Sequence, residues 1–137
     1  MGLQIKVYNA DTGAEIDAAF EAMGRDRPDA VVVGVTVFLN GRRVQLAQLA
    51  AFYRLPAIYP LRDFVEVGGL ISYGTDVVDS FRQAGRYVGR VLKGTKPAEL
   101  PIVKEDKFEL VINAQTARML GLTVPSSLLS RADEIID

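Results

Sequence analysis

The chain has 137 residues, of which 49% are hydrophobic and 24% are charged, and this is the size and balance of one globular domain with its own core. Its net charge of −1 gives no bulk attraction to nucleic acid, so we expect no nucleic-acid partner. It contains neither cysteine nor histidine, which removes thiol nucleophiles, the usual general base and the commonest metal ligand. We therefore expect no enzyme, no metal site and no cofactor.

The N-terminal region carries charges where a signal peptide would be apolar. Lys6, Asp11, Glu15 and Asp17 interrupt residues 1–20. No apolar run approaches the ~18 residues that a membrane span needs. Taken as it stands, the chain is predicted to be cytoplasmic if expressed alone, or to be a fragment of something longer.

The first half of the chain alternates between strand and helix patterns. Residues 3–8 alternate apolar and polar side chains, which predicts a strand. Thr12 and Glu15 fit a capping box at the start of a helix that ends by Pro28. Residues 30–38 form a β-branched run that is typical of a strand covered on both faces. A helix through residue 53 and a short strand over residues 56–59 follow.

The second half is less regular. Residues 62–67 predict a short helix, and residues 70–73 a short strand. The longest predicted helix covers residues 75–93, and Gly94 ends it. A strand over residues 108–112, a short helix from Asn113 to Met119 and a last helix from Pro125 to Ile136 complete the chain. The rhythm of strand and helix predicts one α/β domain over residues 1–137, with three layers and a mostly parallel sheet.

Three stretches of the sequence resemble one protein family. They are LPAIYPLRDFVEVGGLISYG at residues 55–74, GRYVGRVLKGTKPAELP at residues 85–101, and residues 108–133, which end in LTVPSSLLSRAD. Together they are similar to the substrate-binding proteins of ABC transporters, the family that includes tryptophan- and tyrosine-type solute receptors. The likeness covers essentially the whole chain.

The resemblance implies a fold and a function. Members of that family are periplasmic, are roughly twice this long, and close two α/β lobes on a ligand. The resemblance implies that this chain is a truncated C-terminal lobe of the type I periplasmic-binding-protein kind, and residues 70–101 resemble the segment that crosses to the other lobe. The implied role is to bind a small amino-acid-like or related organic solute and to signal an ABC permease, without chemistry.

Two groups of residues follow predicted strands and could contact such a ligand. Thr36, Phe38 and Asn40 lie at the end of the β-branched strand, where open α/β sheets bind ligands. The alternative is that Asn40 only caps a helix and Phe38 only fills the core. Tyr59 follows the next strand, and Arg62 and Glu66 could pair with the carboxylate and the amine of a ligand.

The alternative for Arg62 and Glu66 is a surface ion pair on one helical turn. Tyr73 and Gly74 match the cleft-side turn of the resembling family, and here the alternative is a plain turn with a packed tyrosine. The competing interpretation of the whole chain is a relic or interaction fragment that folds and binds no solute.

Helix 75–93 has a wide apolar side, and it predicts self-association of the chain. Its apolar residues are Val77, Val78, Phe81, Ala84, Val88, Val91 and Leu92. In the resembling family this side packs on the other lobe, and an exposed apolar patch of this size is normally an interface. A second copy is the nearest partner, through the same helix in a two-fold arrangement or by exchange of residues 70–101 as a domain swap. The alternative is that the helix folds back onto its own sheet and the chain stays monomeric.

Overall fold

The computed structural model describes residues 2–103 and 107–137. Its helices are α1 (Gly13–Asp26), α2 (Val37–Gly41), α3 (Arg43–Phe52), α4 (Arg62–Glu66), α5 (Val77–Leu92), α6 (Ala114–Leu120) and α7 (Ser126–Leu129), with a short 3₁₀ turn at Pro97–Glu99. Its strands are β1 (Val31–Val32), β2 (Ala57–Tyr59), β3 (Ile71–Thr75), β4 (Phe108–Asn113) and β5 (Glu134–Ile136).

The five strands form one sheet in the order of the sequence, β1-β2-β3-β4-β5. The pairs β1–β2, β2–β3 and β4–β5 are parallel, and only β3–β4 is antiparallel. The predicted α/β fold with a mostly parallel sheet is therefore confirmed. The strands over residues 56–59, 70–73 and 108–112 lie close to their predicted positions.

One face of the sheet carries the core. Helices α1, α3 and α4 supply Ile16, Phe20, Leu46 and Phe64 to a buried cluster that also holds Tyr59. Because side chains alternate along a strand, the register of β1 with β2 puts Val32 and Ile58 on the opposite face. On that face Val32 is exposed. Leu128 of the short α7 lines an open cleft there together with Ile58 and Ile71, where a three-layer fold would have a full helix layer.

The prediction of a strand over residues 3–8 was wrong. The structure gives residues 2–10 no strand, and Leu3, Ile5 and Val7 are exposed. Lys6 and Tyr8 instead hydrogen-bond the side chain of Asp26 at the end of α1. The alternation of apolar and polar side chains favours a strand. A strand also needs a neighbouring strand that hydrogen-bonds its backbone N–H and C=O groups, and residues 2–10 have none among the described residues.

Two other elements differ from their predictions. The strand expected over residues 30–38 ends at Val32, because Thr36 caps α2 and turns the chain into a helix. The last helix ends at Leu129, and Glu134–Ile136 forms β5 beside β4. The side chain of Asp133 accepts a hydrogen bond from the Leu110 amide, 2.8 Å away, which fixes the start of that pairing.

Helix α5 is attached through its polar side. Asp79 is buried and accepts hydrogen bonds from Gln83 at 2.9 Å and from Lys107 and Arg82 at 3.1 Å. These bonds, that of Gln83 first, lower the pKa of Asp79 to about 2. The apolar side of α5 remains exposed, so the helix does not fold back onto its own sheet.

Candidate functional site

The strands β1, β2 and β3 run parallel and end at the same border of the sheet, which we call the carboxyl edge. It consists of residues 33–36 after β1, residues 60–62 after β2, and the end of β3 at residues 73–75. Open α/β sheets bind their ligands at this border. All of the predicted site residues lie on the carboxyl edge or on the elements next to it.

Thr36 and Phe38 build the part of the edge that follows β1. The Thr36 hydroxyl accepts a hydrogen bond from the Leu39 amide at 3.0 Å, so the helix cap is Thr36 and not Asn40. Phe38 is half-buried and packs against the core cluster. The guanidinium of Arg42 lies over the Phe38 ring, 5.7 Å from its centre, which is a cation–π distance.

Asn40 has a buried polar atom that is not satisfied by the chain itself. Its Oδ1 is buried and has no hydrogen-bond partner among residues 2–103 and 107–137. Leaving such an acceptor unpaired costs roughly 1–3 kcal/mol. A buried polar group without a protein partner is a natural position for a water molecule or a ligand donor.

Tyr59 lies underneath the edge and not on its surface. Its side chain is 2% exposed, and its ring stacks on Phe64 with centres 4.8 Å apart. Burial raises the pKa of the Tyr59 hydroxyl, which also lacks a hydrogen-bond partner within the described part of the chain. A Cβ on Gly69 would lie 2.7 Å from this ring, so the tyrosine occupies the space that this glycine leaves.

Arg62 holds three carboxylates of its own chain. Its Nε donates to Glu66 at 2.9 Å, Nη1 to Glu109 at 2.7 Å, and Nη2 to Glu134 at 2.8 Å. The hydrogen bond with Glu66, then that with Glu134 and the negative charge of Glu109, raise the pKa of Arg62. The guanidinium therefore ties α4 to β4 and β5. The two terminal nitrogens that we expected to bind a ligand carboxylate instead bind Glu109 and Glu134.

Tyr73 and Gly74 end β3 on opposite faces of the sheet. Tyr73 is exposed and stacks on Phe108 with ring centres 5.7 Å apart. Gly74 lies under the loop after β2, where an added Cβ would come within 1.8 Å of the carbonyl oxygen of Pro60. A glycine is therefore required where this loop crosses β3.

An open cleft of about 470 Å³ lies on the face of the sheet that carries Tyr73. Ile58, Ile71, Phe108, Leu110, Leu128, Arg131 and Asp133 line it with Tyr73. Sequence reasoning identified only Tyr73 among these residues. The alternation of Phe108 and Leu110 along β4, on the same face as Tyr73, was the signal that could have found the rest.

The eight predicted residues do not meet in one cavity. Thr36, Phe38 and Asn40 share α2 and its cap, while Tyr59 and Gly74 lie on the helix-covered face of the sheet. Tyr73 points to the other face. Among residues 2–103 and 107–137 there is no group of acidic side chains suited to a metal ion, and no described helix is long and apolar enough to cross a membrane.

Comparison with known proteins gives a family and a set of similar structures. The family described as ABC transporter substrate binding protein matches residues 1–136. No curated protein matches the sequence. A Streptococcus pneumoniae ABC domain solved in complex with L-Trp is 29% identical, with a TM-score of 0.86 over 98% of this chain and 46% of its own.

Two further structures have the same fold. A conserved domain protein from Vibrio cholerae is 26% identical, with a TM-score of 0.78 over 92% of this chain and 42% of its own. A ligand-free, open substrate binding protein with adhesive properties from Clostridium difficile is 18% identical, with a TM-score of 0.65 over 91% of this chain and 41% of its own, which shows the fold alone. This chain spans less than half the length of each of these structures.

Proposed function

Because this chain belongs to the ABC transporter substrate binding protein family, we propose that it is a solute-binding module of an uptake transporter and binds a small amino-acid-like ligand at its carboxyl edge. The observation that carries the proposal is the family match over residues 1–136, which includes every part of that edge. The similar Streptococcus pneumoniae domain was solved with L-Trp, so an amino acid with an aromatic side chain is the first candidate ligand.

The geometry of the edge supports contacts with such a ligand. Phe38 offers an aromatic wall, Asn40 an unpaired amide oxygen for an amine, and Tyr73 an exposed ring. We assign Tyr59, Arg62 and Glu66 a supporting role, because Tyr59 is buried and the two charged residues bind each other. Gly74 holds the loop after β2 against the end of β3.

The path of the chain supports a second lobe beyond the carboxyl edge. Thr75 at the end of β3 pairs with Phe108 at the start of β4, and the Asp76 amide donates to the Lys107 carbonyl at 3.1 Å. The chain therefore leaves and re-enters the sheet at one point. Two adjacent crossings of this kind suit a hinge between lobes. We propose that the chain runs through the second lobe of a longer protein only after β3, over residues 77–101, because residues 71–75 of the predicted crossing segment 70–101 form β3 of this sheet.

The family is a substrate-binding, non-catalytic part of transporters that works in the periplasm or outside the cell. We propose the same location and the same absence of catalysis for this chain. Closure around a solute would then signal an ABC permease. Self-association is a separate prediction that does not depend on solute binding.

A thermal-shift and calorimetric screen of L-Trp, other amino acids and aromatic acids tests the proposal. At ~100 times its dissociation constant, a ligand that binds only the folded chain stabilises it by about 2.7 kcal/mol. We expect Tyr73→Ala to weaken this binding and Phe52→Ala, an exposed aromatic residue at the end of α3, to leave it unchanged. A folded chain that responds to no compound would favour the alternative of a fragment that binds no solute.

A further inference from the structure

The polar side of α5 carries a buried carboxylate close to the point where the chain leaves the sheet. Asp79 lies in the first turn of the helix and is only 4% exposed. A buried carboxylate must be paired or hydrogen-bonded, because burial removes the water that otherwise solvates its charge. Three side chains donate to Asp79, and together they occupy both of its carboxylate oxygens.

Two of the three donors belong to α5 itself. Gln83 donates to Oδ2 of Asp79 at 2.9 Å, and Arg82 donates to Oδ1 at 3.1 Å. Residues three and four positions apart are neighbours on the surface of any helix, so their spacing alone accounts for these two bonds. Because both bonds stay within the helix, they place no constraint on the direction of α5 relative to the sheet.

The third donor comes from the segment that returns to the sheet. Lys107 lies directly before β4, and its Nζ donates to Oδ1 of Asp79 at 3.1 Å. The backbone carbonyl of Lys107 also accepts a hydrogen bond from the Asp76 amide at 3.1 Å. Lys107 therefore binds the outgoing chain twice, through its backbone at the cap of α5 and through its side chain in the first turn of the helix.

A contact further along the helix joins the outgoing and returning segments again. The Tyr87 hydroxyl donates to the Pro101 carbonyl at 2.6 Å, which holds the chain after the 3₁₀ turn beside α5. Tyr87 lies ~12 Å along the helix axis from Asp79, at 1.5 Å per residue. Two connections at different heights fix a direction, whereas a single connection would leave the helix free to turn about it.

These connections bear on the path of the chain that we propose above. With residues 77–101 in a second lobe, β3 and β4 are neighbouring connections between that lobe and this sheet. A lobe that swings about two strands turns as a rigid body only when the outgoing and returning segments keep a fixed relation to each other. The bond between Asp79 and Lys107 supplies such a relation directly above the ends of the two strands.

We propose that the ion pair of Asp79 and Lys107 is a latch that sets the direction of α5 relative to the sheet, so that the outgoing and returning segments turn as one body about the ends of β3 and β4. Asp79 is a positioning residue that acts through Lys107 and touches no solute. The role of the latch in lobe movement rests on the proposed function, but the latch itself is a property of this chain and is measurable on it.

Electron-spin distance measurements on the full chain test the latch. The chain has no cysteine, so spin labels can be attached through Gln48→Cys in α3 and Leu92→Cys at the end of α5, where both natural residues are exposed. Leu92 lies ~20 Å along the helix from Asp79, so a tilt of about 10° at the first turn displaces it by ~3 Å. We expect one narrow distance distribution for the labelled chain, and a distribution at least about twofold broader when Lys107→Met is added.

The matched control is Arg82→Met in the same labelled chain. Arg82 and Lys107 donate to the same oxygen of Asp79 at the same distance, 3.1 Å, but Arg82 lies on the helix itself. Both substitutions remove one positive charge and one hydrogen bond from Asp79, so a carboxylate that only stabilises the helix locally predicts equal effects. The latch predicts that Arg82→Met keeps the narrow distribution. Circular dichroism establishes that both variants keep their helices.

A broad distribution in the labelled chain that retains Lys107 would overturn the proposal, and so would equal widths for Lys107→Met and Arg82→Met. The measurement uses no solute, so it is separate from the test of the proposed function. A chain that binds no compound in the thermal-shift screen can still show the narrow distribution, and a chain that binds L-Trp can still lack it.

Discussion

Replacing Gly74 with alanine tests the contact that holds the carboxyl edge together. The new Cβ would lie 1.8 Å from the carbonyl oxygen of Pro60 and 2.9 Å from its carbonyl carbon. Real Cβ atoms essentially never come within 3.0 Å of another heavy atom, so the loop after β2 or the end of β3 must move by more than ~1 Å. No side-chain rotation can relieve the clash, because the backbone fixes the position of the Cβ and the Pro60 atoms that it meets are backbone atoms.

The expected loss of stability is at the upper end of the range for overpacking, about 3 kcal/mol. For a chain of this size that corresponds to a fall in the melting temperature of roughly 10 °C. The assay is thermal unfolding followed by circular dichroism. The matched control is Gly41→Ala at the end of α2, where nothing lies within 4 Å of the added Cβ, and it should melt within a few degrees of the natural chain. Equal melting temperatures for both variants would refute the close approach of Pro60 to Gly74.

Three further predictions concern the core, the first helix and pH. Phe64→Ala removes a fully buried ring that stacks on Tyr59, and should cost about 3–5 kcal/mol in urea unfolding, against less than ~1 kcal/mol for the exposed Phe52. Thr12→Ala removes the hydroxyl that accepts from the Glu15 amide in the capping box of α1, and should cost about 1 kcal/mol, whereas Ala14→Ser at the start of the same helix should cost less. The pKa of Asp79 in the folded state is lowered to about 2, below its ordinary value. The charge of Asp79 therefore stabilises the fold fully when the pH is above that ordinary pKa, and this stabilisation is lost as the pH falls toward about 2. The difference in melting temperature between the natural chain and Asp79→Asn should therefore be largest above about pH 4 and shrink as pH falls to 2; a constant difference would contradict the assignment.

Local signals in the sequence predicted the elements that local physics determines. The capping box of Thr12 and Glu15 is present at the start of α1, and the apolar period of α5 gives a helix over nearly the predicted residues. Both signals rest on hydrogen bonds and side-chain spacing within one turn of a helix. The sequence alone is sufficient for such features.

The errors fall where pairing with distant residues decides the structure. Residues 3–8 have the alternation of a strand but pair with no strand in the described chain, and residues 134–136, predicted as helix, pair with β4. A strand depends on which backbone lies beside it, and periodicity does not report that. The cap at Thr36 was the exception, because the hydrogen bond that its hydroxyl accepts from the Leu39 amide is local, yet we considered a cap only for Asn40, as the alternative to ligand binding.

The candidate site was predictable in position but not in detail. The rule that ligands bind after parallel strands pointed to the carboxyl edge. It could not reveal that Tyr59 is buried against Phe64, or that Arg62 binds Glu109 and Glu134, which are 47 and 72 residues away. The contacts of Arg62 depend on the pairing of β3 with β4 and of β4 with β5, which the sequence does not display.

The most direct test of the central claim is a titration of the ¹⁵N-labelled chain with L-Trp, followed by NMR of its backbone amides. Solute binding at the carboxyl edge predicts saturable shifts of the Gly34, Thr36 and Gly74 amides, with little change in α6. No shifts with L-Trp or with any other amino acid, or shifts confined to α6 and the exposed side of α5, would contradict the proposed site.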